Sequence, residues 1–382
     1  MRWCSRGGQR RSGCFWTGSC VRFCAPVRRG AAEAMVARIR ALIYAGQGWG
    51  SAMKILQVTG PGSHRVLDVA TPEPGPGEVL LHVTAVTTCP QWDLHLRHNE
   101  PMFVGHRFRY PYTPGQPGHE ATGEVAALGP GVTELSVGDR VSTWRDGGHQ
   151  RPGCYAQYVV RRPQEDLIRV PAGLPPEATA PVELAMCVGA SFLMLRQMDA
   201  VRGRRFAVAG LGPAGLVAAQ MARAEGAARL CGFDLSPQRC RRAMDLGLVD
   251  EAHDPRETPG SMFPVRGTGG SLALDSAVDC AGGRAAVEFL MDRTADVVTL
   301  FAVQREDYVF RPVHRSLRLC GYPGHSRAAA EYAVDLIAHD RLDLRPLVTH
   351  HLPLERYEEG VDFLESQQAL KVCFWPWADA RG

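Results

Sequence analysis

Paired cysteines are missing from this 382-residue chain. It carries twelve cysteines, yet no two stand in CxxC spacing, which argues against a structural four-cysteine zinc site. The eight beyond residue 52 are scattered singly, at 89, 154, 187, 231, 240, 280, 320 and 373. Nothing in that spacing demands a disulfide, and a reducing cytoplasmic compartment fits. No uninterrupted run of about eighteen apolar residues occurs, so no membrane-spanning helix is expected. Charge of one sign is also lacking: 43 Lys+Arg against 40 Asp+Glu leave a net +3. That balance carries no electrostatic footprint of a nucleic-acid partner. Internal repeats are absent as well. Apolar residues are 45% and charged residues 22%, as in an ordinary globular protein, and the length suits about two domains.

The small net charge hides an asymmetry. Residues 1–52 hold nine Arg, no Lys and a single acid, Glu33, for a net of +8. The remainder holds 34 bases and 39 acids, a net of −5. The leading segment shows no sustained periodicity and no apolar stretch long enough for a secretory signal. It reads either as an organelle transit peptide or as upstream sequence translated from an early start, with Met53 in "MKILQVTGPG" opening the domain. The second reading is preferred, and poor order is expected there.

Residues 53–180 are β-rich in pattern. Short alternating runs (KILQV, EVLLHVTAV, ATGEVAAL, DRVST, YAQYVV) are separated by Gly/Pro turns such as "TPEPGPGE". From about residue 185 helix-length segments alternate with short apolar strands, which implies βαβ units and a parallel sheet. Further strands are expected at 273–280, 296–302 and 317–321, and a helix capped by Ser326 over "RAAAEYAVDLIAHD".

"AVAGLGPAGLVAAQ" sets Gly210, Gly212 and Gly215 in GxGxxG spacing, after a strand and opening a helix. Gly210 permits the tight turn, Gly212 lets backbone approach a pyrophosphate, and Gly215 allows close helix–sheet packing. Pro213 and Ala214 lie inside the motif, where the helix N-terminus offers free N–H groups to phosphate. Asp234 follows nineteen residues after Gly215, at the end of the next apolar run. A carboxylate there accepts from ribose hydroxyls and repels a 2′-phosphate, so NAD is the expected cofactor.

"GQPGHEATGEVAALGPGVTELSVGDRV" (115–141) places His119 beside Glu120 among glycines. Together with "GLGPAG", "FDLSPQR" and the ending "LESQQALKV", this stretch resembles the zinc-dependent alcohol and polyol (sorbitol-like) dehydrogenases of the medium-chain dehydrogenase/reductase superfamily. The resemblance covers residues 53–376. It implies an α/β fold: a GroES-like β domain (53–184 and 320–382) packed on a Rossmann doubly wound parallel-sheet domain (185–319), with the active site in the cleft.

The resemblance also implies roles. His119 and Cys89 of "TTCPQWDLH" would be catalytic-zinc ligands, with Glu183 of "APVELAMCVGA" at the third protein position, where Cys187 is the alternative. Glu120 would enter and leave the coordination sphere. Asp93 would fix the ring of His119, and His95 would match a proton-relay histidine. Lys371 matches a basic residue that reaches the pyrophosphate, and Arg239 one near the adenosine ribose. One thiolate, one imidazole and one or two carboxylates leave a position open for substrate oxygen. The expected cofactors are therefore NAD and one catalytic Zn²⁺ per chain, with no structural Zn²⁺. The expected partner is a small alcohol, polyol or carbonyl compound, and the assembly a homodimer or homotetramer.

Three departures from the family pattern stand out. "CPQWD" separates Cys89 from Asp93 by one extra residue, for which a bulge at Cys89 is the expected remedy. Trp92 replaces the hydroxyl residue that passes the alcohol proton outward. The segment after "GDRV" holds only Cys154, so the structural-zinc lobe is absent, while the lengthened loop "LRHNEPMFVGHRFRYPYTPGQP" either lines a substrate pocket or lies in solvent. Two rival readings stay open: a zinc-free NAD(P)H quinone/enone reductase of the same superfamily, and a non-catalytic nucleotide-binding scaffold.

Overall fold

The structure is a computed structural model that describes residues 52–103 and 105–378. The leader of residues 1–52 lies outside the described residues except for Ala52, which opens the first strand. β1 (Ala52–Gly60) and β2 (Ser63–Ala70) form an antiparallel hairpin. A seven-stranded sheet follows, built from β3 (Val79–Thr87), β4 (Glu120–Leu128), β5 (Arg140–Thr143), β6 (Tyr158–Arg161), β7 (Leu167–Arg169), β14 (Val348–Pro353) and β15 (Lys371–Trp375). Strand β4 is buried along most of its length, as its Ala, Val and Leu content requires of a central strand.

The register of this sheet positions the site. Thr87, the last residue of β3, pairs with Glu120, the first of β4, and also with Cys373 of β15. The end of one strand and the starts of two others therefore converge at one edge. Cys89 leaves β3 there, and His119 enters β4 there. Helix α1 (Pro90–His98) begins at once after β3, with Cys89 as its N-cap residue and Pro90 in its first turn. A proline is preorganised for that position and has no N–H to lose. The extra residue of "CPQWD" is thus taken up by a helix start. The register irregularities in β3 lie between Leu80 and Leu81 and between Val83 and Ala85, both upstream of Cys89, so the bulge expected at Cys89 is corrected.

The second sheet contains β8 (Arg205–Ala209), β9 (Arg229–Phe233), β10 (Glu251–His253), β11 (Leu274–Asp279), β12 (Thr294–Leu300) and β13 (Arg318–Gly321). All its pairings are parallel, in the order β10-β9-β8-β11-β12-β13. The chain order reverses between β8 and β11. That switch point is where open α/β sheets bind ligands, outside the carboxyl ends of the strands. Helices α2 (Val182–Gln197), α3 (Pro213–Ala224), α4 (Pro237–Asp245), α5 (Arg284–Arg293) and α6 (Arg327–Ala338) accompany this sheet, and α7 (Tyr357–Glu365) precedes β15. Ser326 caps α6 through its side chain, which accepts from the Ala329 N–H.

Helix α2 joins the two halves and carries Glu183 and Cys187. The stretch Pro176–Gln197 is long and apolar enough to cross a membrane, although 78% of its most apolar window is buried inside the protein. Val182, Ala185, Met186, Val188, Phe192 and Leu195 of α2 pack in one cluster with α3 and α6. A helix that is apolar on most sides is what such a core position demands.

Candidate active site

The glycine loop follows β8. Gly210 has φ +86°, a region that side-chain-bearing residues rarely adopt. A Cβ on Gly215 would lie 1.8 Å from the Gly210 carbonyl oxygen, so α3 approaches the loop only because that atom is missing. At Gly212, the N-cap of α3, the situation is opposite: a Cβ would meet nothing nearer than Arg239 Nη1 at 3.9 Å. The space over Gly212 is open, and Pro213 and Ala214 begin the helix behind it. This is the cradle a pyrophosphate needs. Asp234 ends the β9 run, and its Oδ2 accepts the Leu211 N–H at 2.7 Å while its Oδ1 accepts the Ser236 N–H at 2.8 Å. Each oxygen keeps a further lone pair for a ribose hydroxyl. Arg239 Nη1 stands 3.8 Å from Asp234 Oδ2, beside the same pocket.

At the sheet edge, ligand atoms of Cys89, His119 and Glu120 all lie within 4.8 Å of one another. Two devices hold them. The Cys89 N–H donates to Asp93 Oδ2 at 2.8 Å, and the Asp93 N–H returns a bond to the Cys89 carbonyl. His119 Nδ1 sits 2.7 Å from the Pro117 carbonyl oxygen, which can only accept. That partner fixes the proton on Nδ1 and leaves Nε2 as the ligand atom, the arrangement metal-binding imidazoles use. The expectation that Asp93 fixes the His119 ring is therefore corrected. Asp93 instead accepts from Tyr357 and Tyr155 at 2.8 and 3.0 Å and braces Cys89. Burial pushes its carboxyl up to about 6, against those hydrogen bonds. Burial also works against a charged His119, but Cys89, Glu183 and Glu120 outweigh it and raise His119 well above its ordinary value. The surroundings favour positive charge at this spot.

Glu183 and Cys187, alternatives in the sequence, both face the cleft from α2. Glu183 Oε2 is 3.8 Å from His119 Nε2. Its other oxygen, Oε1, is 3.3 Å from Cys187 Sγ and 3.1 Å from His325 Nε2.

Lys371 occupies an unexpected place. Its Nζ donates to both oxygens of Glu120 at 2.6 Å and to the Thr88 carbonyl at 2.7 Å, and the pair is 1% exposed on each side. The ammonium thus engages its three hydrogens at the sheet edge. Glu120 accepts in addition from Thr87 Oγ1. His95 stands outside the cluster: its Nδ1 is 3.2 Å from the Glu100 carbonyl oxygen.

The long loop before His119 is not simply solvated. Met102, Phe108 and Tyr112 are buried in the β-domain core, with Trp92 packed against them. The Trp92 ring lies 4.0 Å from that of His149, and His149 lies 6.1 Å from His119, centroid to centroid. Burial pushes His149 down to about 3, aided by His119 and His106, so its ring is neutral and serves as wall. The segment after β5 holds Cys154, whose Sγ receives Arg161 Nη2 at 3.3 Å. Among the described residues, the groups with metal-binding geometry are the Cys89–His119–Glu120 and Glu183–Cys187–His325 clusters.

Sequence reasoning missed His325, the Pro117 carbonyl and the Lys371–Glu120 pair. For His325 a signal existed: "GYPGHS" follows a strand of the parallel sheet at its carboxyl end, the functional edge.

Comparison with known proteins agrees with this geometry. Residues 75–172 match the family model of the alcohol dehydrogenase GroES-like domain. Sorbitol dehydrogenase of Halalkalibacterium halodurans is 28% identical over 357 residues, covering 85% of this chain and 99% of that protein. L-threonine 3-dehydrogenase of Bacillus subtilis is 27% identical, over 81% of this chain and 94% of that protein. Among solved structures, 2R,3R-butanediol dehydrogenase from Bacillus subtilis superposes with a TM-score of 0.70 at 22% identity, over 85% of this chain and 99% of that one. An alcohol dehydrogenase from Thermus sp. ATN1 gives 0.70 at 24% identity, over 85% and 99%. With the GroES-like sheet, the parallel sheet and the Cys–His–Glu cluster in place, residues 75–172 are an alcohol dehydrogenase GroES-like domain, and the chain as a whole is similar to zinc-type alcohol and polyol dehydrogenases of the medium-chain dehydrogenase/reductase superfamily.

Proposed function

We propose that this chain oxidises a small alcohol or polyol, or reduces the matching carbonyl compound, with NAD and one catalytic zinc per chain. The observation that carries the reading is the convergence of Cys89, His119 and Glu120 within 4.8 Å, with the His119 tautomer set by Pro117. A thiolate and an imidazole make a donor set suited to zinc. Cys89, His119 and a carboxylate from Glu120 or Glu183 would hold the ion. When bound, zinc supplies Lewis acidity toward the substrate hydroxyl, and NAD accepts the hydride.

The remaining work falls to this chain's own groups. Asp93 keeps Cys89 in place through its N–H. Gly212 leaves room for the pyrophosphate, and Asp234 takes the ribose and turns away a 2′-phosphate, which favours NAD over NADP. Lys371 neutralises Glu120, so its carboxylate is a reserve ligand that must give up an ammonium contact before it reaches a metal. Trp92 and His149 wall the substrate side with ring faces, which suits a carbon chain better than a row of hydroxyls. His95, turned to Glu100, is given no part in proton transfer. Eight free cysteines among the described residues fit a reducing cytoplasm.

Metal analysis of the purified protein, followed by a panel of alcohols and polyols read at NADH absorbance, tests the reading. Stoichiometric zinc with turnover of at least one alcohol is expected. A metal-free protein that reduces enones or quinones with NADPH would overturn it.

A further inference from the structure

We propose that Glu183, Cys187 and His325 form a second binding site for a soft divalent cation such as zinc, beside the catalytic one. Glu183 and Cys187 stand four residues apart on α2 and so share one face of the helix. His325 comes from the loop between β13 and α6, more than a hundred residues away in sequence. The three ligand atoms close a triangle. Cys187 Sγ to Glu183 Oε1 is 3.3 Å, Glu183 Oε1 to His325 Nε2 is 3.1 Å, and Cys187 Sγ to His325 Nε2 is 3.5 Å.

Those lengths can be compared with what a tetrahedral ion requires. Bonds of about 2.0 Å to nitrogen or oxygen and about 2.3 Å to sulfur put ligand atoms roughly 3.3–3.6 Å apart. The three edges match to within about 0.3 Å without moving a side chain. Sulfur, nitrogen and oxygen donors together suit zinc or cobalt rather than magnesium or calcium. His325 is 41% exposed at its side chain, so an ion has a route from solvent, while Glu183 is 10% exposed and Cys187 half-buried.

The site is distinct from the cluster around Cys89. Glu183 turns Oε1 to Cys187 and His325 and Oε2 to His119, so its carboxylate stands between the two sites. Glu183 is the one residue the two sites would share; Cys187 and His325 belong to this site alone, so the inference stands whichever carboxylate completes the catalytic one.

The test is metal content by mass spectrometry on the full chain, loaded with zinc and separately with cobalt(II), for the wild type and three variants. Two ions per chain are expected in the wild type. Cys187→Ser and His325→Ala should each bring the count to one, and Cys89→Ser should also bring it to one. The cobalt form gives a second readout: Cys187→Ser and His325→Ala should each lose the part of the thiolate-to-metal charge-transfer absorbance that belongs to the second ion, while Cys89→Ser should keep that part. A wild-type count of one that both Cys187→Ser and His325→Ala leave unchanged overturns the second site. A count of one lost in both Cys89→Ser and Cys187→Ser describes one shared ion and overturns it too. A count of one lost in Cys187→Ser but kept in Cys89→Ser upholds this site and removes the catalytic reading instead. His325→Ala changes an exposed loop side chain, so its result stands even if Cys187→Ser folds poorly.

Discussion

Replacing Lys371 by methionine should destabilise the chain more than most single substitutions, because of what is left behind. Lys371 Nζ is 2.6 Å from both oxygens of Glu120, and neither side chain is more than 1% exposed. Methionine keeps most of the aliphatic stem but removes the charge. Glu120 then remains as a buried carboxylate with Thr87 Oγ1 as its surviving hydrogen-bond donor, and the Thr88 carbonyl loses its ammonium partner. Removing one member of a buried ion pair costs about 3–5 kcal/mol. For a chain of this size that is a fall in Tm of roughly 4–7 °C. The uncompensated charge, rather than lost packing, is the cause. Lys371→Met combined with Glu120→Gln should therefore recover about 2 kcal/mol or more of the loss, a coupling expected of groups in contact. Thermal melts of the wild type, both single variants and the double variant, in chelator to remove any metal contribution, complete the cycle. A Lys371→Met loss under about 1 kcal/mol, or a double variant no better than the sum of the singles, would refute the reasoning.

Asp234→Ser should weaken NAD binding by about tenfold to a hundredfold, the worth of roughly 1.5–3 kcal/mol of charge-assisted hydrogen bonds, and improve NADP use. Steady-state kinetics with both cofactors decide it, and an unchanged NAD/NADP preference would take Asp234 out of the site. Gly212→Ala and Gly215→Ala should separate cleanly. The first has open space around its new Cβ and should leave Tm near wild type while raising Kd for NADH. The second drives its Cβ to 1.8 Å from the Gly210 carbonyl and should lower Tm by several degrees or prevent folding; equal melts for the two variants would contradict the loop geometry. His82 offers a pH test. Its ring lies 4.5 Å from Trp377 and 5.4 Å from Tyr158, and burial pushes it down to about 4. The native state keeps it neutral while the unfolded chain takes up a proton below about 6.5. Stability is thus lost as pH falls from about 6.5 to about 4, by roughly 3 kcal/mol at most. His82→Phe should flatten that part of the stability profile, and parallel profiles would remove His82 as a cause.

Local chemistry made much of the fold legible. Alternating runs gave the β-domain strands, the Ser326 cap marked α6, and the glycine spacing marked the tight turn between β8 and α3. The irregular "CPQWD" was read as a bulge at a strand end, whereas the chain starts a helix at Pro90 with Cys89 as its N-cap; a cysteine followed by proline serves either, and spacing alone does not choose. What stayed hidden depends on distance along the chain or on rotamer. Lys371 and Glu120 are 251 residues apart and meet only because β15 pairs with β3 while β3 pairs with β4. His325 reaches Glu183 across 142 residues from a loop with no periodicity. Whether Asp93 or Pro117 orients His119 turns on a single χ angle, which spacing cannot specify. The aromatic residues of the loop before His119 gave no sign of whether they face water or core until Trp92 was placed beside them.

The central claim is a zinc-dependent active site anchored by Cys89, and the most direct measurement is zinc per chain together with NADH binding in Cys89→Ser. The account predicts the loss of one zinc equivalent and of nearly all alcohol turnover. NADH affinity should stay close to wild type, because the glycine loop and Asp234 lie on the other sheet. A Cys89→Ser protein that keeps its full zinc complement and its turnover would contradict the assignment.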